Sequence, residues 1–399
     1  MIVLAGADVV LPDRVMPQTR VIIDGGRIAA LAPRRGDDPD GATRVDVSGC
    51  LVVPGFVDVH VHGVEGHDVL EGPQAVREVA ARLPRFGVTG FCPTSVACSP
   101  QVLATFLSAV DEARTAPAGD AARVLGAHLE SNFISPDYRG AQPAACLRSI
   151  KRRLSETGFG GPEILDVISR FRDAVRIVTM APERESGLEL ARQLTAAGHI
   201  VSIGHSGATY EEALAAIDAG VSHATHLFNR MTPLTHRAPG VPGAVLESDE
   251  VTAELICDGF HVHPSILRLA LRAKGPDRIL AISDGTAGSG LAVGSRARLG
   301  DEMLIVTERT AVLEDGTLAG SVVTMDGVFR TLVRQAGLSV VEAALLCATS
   351  PVRQLGVAET GRIEAGLTAD LAVLDADLRV RQTYLAGVLW RNTARAGNV

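Results

Sequence analysis

The sequence predicts an α/β fold: a (β/α)8 barrel accompanied by a small β-sandwich domain built from both chain termini. Three observations predict it. Between about residues 54 and 350 a short apolar strand, a loop and an amphipathic helix recur eight times, which is the count and size of such a barrel. The two ends of the chain read instead as short strands joined by turns, with no long helix among them. Several of the repeating strands close on His, Glu or Asp, at the end where barrels of this kind gather their chemistry. An open doubly wound sheet gives the same alternation and is the alternative architecture.

The terminal strands come first. Asp8 to Pro12 and Arg20 to Leu31 are β-like, the second with a hairpin at Asp24-Gly25-Gly26. Ala369 to Leu374 and Val380 to Trp390, turning at Ala386-Gly387, answer them at the other end. Neither end is long enough to stand alone, so residues 1–53 and 354–399 are expected to pair into one discontinuous domain, with residues 54–353 inserted as the catalytic barrel. The eight barrel strands are read at Phe56–His62, Gly90–Val96, Val124–Glu130, Val175–Met180, Ile200–His205, His223–Phe228, Val251–Cys257 and Ile279–Ser283. Helical periodicity fills the intervals, for instance at Gln74–Phe86, Gln101–Arg114, Ser186–Ala197, Tyr210–Ala219 and Pro264–Arg272. The sixth interval, Asn229 to Leu246, is read as a long loop because it carries Pro233, Pro239, Gly240, Pro242 and Gly243.

Composition bounds the function. A chain of 399 residues that is 46% hydrophobic can bury a large core. A formal charge of −8 argues against nucleic acid as a partner, while leaving local anion sites open. The start of the chain shows no export signal, and no run of about 18 apolar residues marks a membrane span. Six cysteines without a CxxC pair read as buried free thiols, which fits a reducing, cytoplasmic setting.

His60 and His62 form a His-x-His pair inside the run Val57 to Gly63. Two residues apart on a strand, they lie on one face and can hold one ion. Alone the pair is a weak signal. Glu130 ends the third strand, His205 the fifth, His226 lies in the sixth, Asp258 and His261 follow the seventh, and Asp284 ends the eighth. Each is unremarkable by itself, but five strands that themselves end on His, Glu or Asp (the first, third, fifth, sixth and eighth), with two more such residues after the seventh, point to a divalent metal site.

At these residues the chain resembles the amidohydrolase superfamily and, within it, the N-acetylglucosamine-6-phosphate deacetylases. The matching stretches are Pro54-Gly55-Phe56-Val57-Asp58-Val59-His60-Val61-His62-Gly63, His128-Leu129-Glu130, Gly204-His205-Ser206, Ala224-Thr225-His226-Leu227-Phe228-Asn229, Asp258-Gly259-Phe260-His261-Val262-His263, Ser283-Asp284 and Gly316 to Ser321. They run in order over nearly the whole chain. Many superfamily members bridge two metals with a modified lysine at the end of strand 4. This chain has only Lys151 and Lys274, and its fourth strand ends Met180-Ala181-Pro182-Glu183. The resemblance therefore implies the deacetylase arrangement, in which Glu130, His205 and His226 hold one ion, while His60, His62 and Asp284 complete a second site shared through Glu130. Members differ in holding one ion or two, those without His-x-His tending to one. Mixed nitrogen and carboxylate ligands suit zinc, with iron, manganese or cobalt as alternatives.

The implied reaction is hydrolysis of an acyl amide. A divalent metal lowers the pKa of water from about 16 towards roughly 7. Asp284 is the expected proton carrier, because an amine leaves only once protonated. The resemblance also implies contacts to a phosphorylated amino sugar from Asn229, His236, Arg237 and His261, with Arg237 arriving from the other subunit of a homodimer. A guanidinium fork is suited to a phosphate. Four residues depart from the pattern. Ser131 and Asn132 stand where the family has Gly-Pro, Gln142 where it has the histidine that meets the substrate carbonyl, and Arg230 where it has a small residue. Gln142 donates a hydrogen bond without carrying charge. The acetyl group is accordingly the first expectation for the acyl end, and another N-acylated or lactone-containing sugar phosphate the second.

Overall fold

The computed structural model describes residues 1–33, 36–151 and 158–391. Eight parallel strands follow one another around a nearly closed barrel. The first, Phe56–Val61, pairs with the second, Val88–Ser95. The third is split at Gly126 into Arg123–Val124 and Ala127–Glu130, both pairing with the second. Val175–Met180, Ile200–Ile203, Val221–Ala224, Thr252–Ile256 and Ile279–Ile282 complete the order. The first and eighth strands are joined at their carboxyl ends, where Asp284 N donates to His60 O (3.0 Å) and His62 N to Gly285 O (2.7 Å). This junction places His60, His62 and Asp284 side by side across 222 residues of sequence.

These strands are buried on both faces, which explains their near-continuous Val, Ile and Leu runs. The surrounding helices begin on local signals. Ser99 caps Pro100–Thr115, accepting from Val102 N with proline at the first helical position. Thr209 and Glu212 form a reciprocal capping box on Tyr210–Asp218. The sixth interval corrects the expected long loop, because it contains a helix at Gly240–Glu247. Pro239 is its N-cap and Gly240, Pro242 and Gly243 lie in its first turn, where a missing N–H costs nothing, while Val241, Ala244 and Val245 are buried.

The terminal strands form one mixed eight-stranded sheet. Its path runs from Val388–Leu389 through Val380–Leu385, Leu371–Leu374, Leu51–Pro54 and Ile2–Val10 to Val15–Asp24 and Arg27–Pro33, with Thr43–Asp46 added beside Ile2–Val10. The sheet curls so that its Arg27–Pro33 edge meets residues 367–369, which lead into Leu371–Leu374. Ile28 N donates to Leu367 O and Ala369 N to Gly26 O, around a core that includes Leu4, Val21, Ile28, Val52, Leu371 and Tyr384. Asp370 binds this layer to the barrel by accepting from Thr360, from Ala386 N and from Arg123. Pro54-Gly55 is the crossing point, and a side chain at Gly55 would collide with Thr89, whose Cγ2 lies 2.2 Å from the position a Cβ would take.

One element was not expected from the sequence. After the eighth strand, Arg296–Leu299, Glu302–Val306 and Ala311–Leu313 make a separate antiparallel sheet. It packs through Leu299, Leu304, Val306 and Ala311 onto Val96, Ala287 and Ala319. Among the described residues no helix is long and apolar enough to cross a membrane.

Candidate metal centre

At the carboxyl ends of the barrel strands, six of the predicted side chains meet. Glu130 Oε1 lies 2.9 Å from both His205 Nε2 and His226 Nε2, and those two nitrogens are 3.0 Å apart. On the other side His60 Nε2 and His62 Nε2 are 3.3 Å apart and lie 3.6 Å from Oε1 and Oε2 of Glu130 respectively. Asp284 Oδ1 is 3.4 Å from His60 Nε2 and 3.3 Å from His62 Nε2. All six residues are buried. His205, His226 and Asp284 hold positive φ values of 47°, 31° and 49°. Such backbone costs about 1–3 kcal/mol per residue, and strain of this kind concentrates at functional sites.

The other face of each ring fixes which nitrogen points inward. His205 Nδ1 faces Tyr138 O at 2.8 Å, His62 Nδ1 faces Thr94 O at 3.0 Å, and His60 Nδ1 faces Glu254 Oε2 at 2.9 Å. A carbonyl or carboxylate oxygen only accepts, so each Nδ1 carries a hydrogen, and each Nε2 offers a lone pair whenever its ring is neutral. Three lone pairs aimed at two carboxylates repel unless a cation lies between them. The buried His/Glu clusters His60–His62–Glu130 and Glu130–His205–His226 are thus consistent with a divalent metal site.

The electrostatics of these side chains carry the same message. Burial alone would push the His60 imidazole down, but the Glu254, Asp284 and Glu130 carboxylates outweigh it and lift it to about 10. Burial likewise opposes ionisation of Glu130, yet the facing histidines hold it well below the usual carboxylate range. Asp284 is also lowered, because His60 and His62 overcome its burial. Protons therefore substitute for metal, and metal uptake must expel them. At neutral pH His60, with its pKa raised to about 10, holds a proton that a metal has to displace, so zinc affinity should rise as pH rises through the neutral range. Calorimetric titration of stripped protein with zinc, in buffers of different ionisation enthalpy, should record net proton release; an uptake independent of buffer would contradict this charge distribution.

Residues away from the two carboxylates sort less simply. Gln142 is buried and donates through Nε2 to Glu130 Oε2, while its Oε1 accepts from Ala97 N at 2.7 Å. Its amide is thus engaged by Glu130 as well as facing the cleft. Asn132 reaches away, donating to Cys98 O and Cys146 O, and Ser131 Oγ donates to Thr179 O. These two residues brace the backbone behind Glu130 and do not themselves line the cleft. A cleft is lined by His62, Glu130, Gln142, Asn229, Arg230 and His261 among others. Leu299 of the unexpected sheet and Leu318 form an apolar part of its rim. Asp258 spends its carboxylate on the turn, accepting from Phe260 N and His261 N and holding His261 Nδ1 at 2.7 Å. His236 and Arg237 are exposed and do not line the cleft.

The sequence reading did not single out Glu254 or His223. Glu254 lies within the seventh strand with both oxygens engaged by histidines, and its only sequence signal is a charge between the apolar Ala253 and Leu255.

Comparison with known proteins gives a consistent answer. The model of the amidohydrolase family matches residues 51–393. An N-acetylglucosamine-6-phosphate deacetylase of Bos taurus is 38% identical over 358 residues, covering 86% of this chain and 84% of that protein. An N-acetylgalactosamine-6-phosphate deacetylase of Escherichia coli is 33% identical over 371 residues, covering 92% and 93%. A solved mutant of the Mycobacterium smegmatis N-acetyl-D-glucosamine-6-phosphate deacetylase, in complex with N-acetyl-D-glucosamine-6-phosphate, superposes with a TM-score of 0.86 at 32% identity, covering 97% of this chain and 98% of that one.

Proposed function

The chain belongs to the amidohydrolase family, and from that premise we propose that it removes the acetyl group from N-acetylglucosamine 6-phosphate, giving glucosamine 6-phosphate and acetate. The observation that carries the reading is the convergence of three imidazole Nε2 lone pairs on the buried carboxylates of Glu130 and Asp284. Glu130, His205 and His226 would hold one divalent ion, and His60, His62 and Asp284 a second that shares Glu130. Zinc suits this donor set first. When bound, the ion supplies Lewis acidity, polarising a carbonyl and making water acidic near neutral pH.

The remaining work belongs to the chain's own groups. Asp284, held ionised by its histidines, accepts a proton from water as the water oxygen adds to the acetyl carbon. It returns that proton to the nitrogen as the C–N bond breaks, so the sugar departs as an amine and the acyl group as acetate. Gln142, whose amide donates to Glu130, would offer its second amide hydrogen to the acyl oxygen without adding charge, and Asn229, Arg230 and His261 line the part that would take the sugar phosphate. We expect a homodimer in which the exposed His236–Arg237 segment of one copy reaches the cleft of the other, and a cytoplasmic location.

Gln142, Ser131, Asn132 and Arg230 also favour a second reading, an N-acylated sugar phosphate of different ring or acyl group, of which the galactosamine epimer is the nearest example. Metal-reconstituted protein assayed for acetate release separates the two. The first reading expects N-acetylglucosamine 6-phosphate to be turned over faster than its galactosamine epimer and much faster than unphosphorylated N-acetylglucosamine. Background turnover of the glucosamine substrate, with metal content verified, would remove the assignment and leave the metal-hydrolase chemistry standing.

A further inference from the structure

Glu254 is a carboxylate in the middle of a barrel strand, between Ala253 and Leu255, with no exposed surface. A buried charge at such a position carries a large desolvation cost and is kept tolerable only by good partners. Its partners are specific. Oε2 lies 2.9 Å from His60 Nδ1 and 3.2 Å from the backbone N of His226, while Oε1 lies 3.0 Å from His223 Nε2. His223 Nδ1 is in turn 2.7 Å from the Thr252 hydroxyl. One carboxylate oxygen therefore touches both halves of the candidate metal centre, through a side chain on the His60 half and through the backbone on the His226 half.

We propose that Glu254 is a positioning residue that fixes the His60 ring with Nε2 turned to Glu130 and Asp284, and so sets whether the ion on the His60–His62 side is held. This rests on the metal reading above. With its Nδ1–H donated to Glu254, His60 has a lone pair at Nε2, the nitrogen that lies 3.3 Å from His62 Nε2 and 3.4 Å from Asp284 Oδ1. Without that acceptor the ring has no group to select this tautomer, and loss of such an outer partner typically lowers metal affinity 10–100-fold. The His226 side should suffer less, because there Glu254 holds only the backbone.

The test is zinc content per chain of Glu254→Gln after dialysis against graded chelator, with circular dichroism to verify folding. Glutamine keeps the size but offers one acceptor oxygen to three donors. Wild-type protein should hold two ions, and the variant should lose one at a chelator concentration 10–100-fold lower. Glu254→Asp, which keeps the charge on a shorter arm, should fall between them. Equal retention by wild type and a folded Glu254→Gln would overturn the inference while leaving the metal reading intact, whereas a wild type that retains no ion would overturn the reading itself. If the glutamine variant does not fold, 15N-histidine spectra of zinc-loaded wild type decide, with the His60 signal assigned by its loss in His60→Gln. A protonated Nδ1 with a metal-shifted Nε2 is the expected signature; metal on Nδ1 would overturn the proposal.

Discussion

Asp284→Asn should leave the protein folded and able to bind metal, yet reduce the rate of acetate release by about two orders of magnitude or more, the typical worth of a general acid–base group. The backbone at this position is secured independently of the side chain, because Asp284 N donates to His60 O and its carbonyl accepts from Ser321 N. Asparagine also tolerates the left-handed conformation that the φ of 49° demands. Its amide oxygen can still face His60 and His62, so it can still serve beside them in holding an ion on that side. What is lost is the ability to take up a proton and give it back. Kinetics at matched metal content test this, and a variant with near-normal kcat would place both proton transfers on another group.

Glu130→Gln should have the larger effect, removing bound metal and turnover together. Both oxygens of Glu130 are committed, Oε1 to His205 and His226 and Oε2 towards His62 and Gln142. A glutamine would keep the shape, remove the charge and set an NH2 group against either the imidazoles or the Gln142 amide. Loss of the several kcal/mol that a Lewis acid supplies corresponds to roughly a thousandfold or more in rate. Metal analysis alongside kcat distinguishes this from Asp284→Asn, which keeps its metal. A Glu130→Gln protein that retained wild-type metal content would remove Glu130 from the centre of the site.

Much of this centre is legible in the sequence because barrel strands present their functional groups at fixed places, the carboxyl ends, where polar residues stand out against apolar runs. His60, His62, Glu130, His205, His226 and Asp284 all have that form. Glu254 does not. Its role depends on strand 7 facing strand 1 across the barrel interior, 194 residues away in sequence, and nothing local distinguishes it from a lapse in an apolar strand. The helix at Gly240–Glu247 was hidden by Pro239, Gly240, Pro242 and Gly243, whose breaking tendency yields to the burial of Val241, Ala244 and Val245. The antiparallel sheet after strand 8 carried a usable signal, since Arg296 to Leu299 alternates exposed and buried side chains with period two. The attachment of Gln142 to Glu130 was not legible at all, because side-chain partners across a loop follow from packing rather than from spacing.

The most direct test of the central claim, that hydrolysis here runs on metal held by these histidines and carboxylates, is restoration of activity to stripped protein. Wild-type protein freed of metal by chelator should release no acetate from N-acetylglucosamine 6-phosphate above background. Adding zinc should bring the rate back in proportion to the ions bound per chain. Full turnover by protein shown to be metal-free, on that same substrate, would contradict the account.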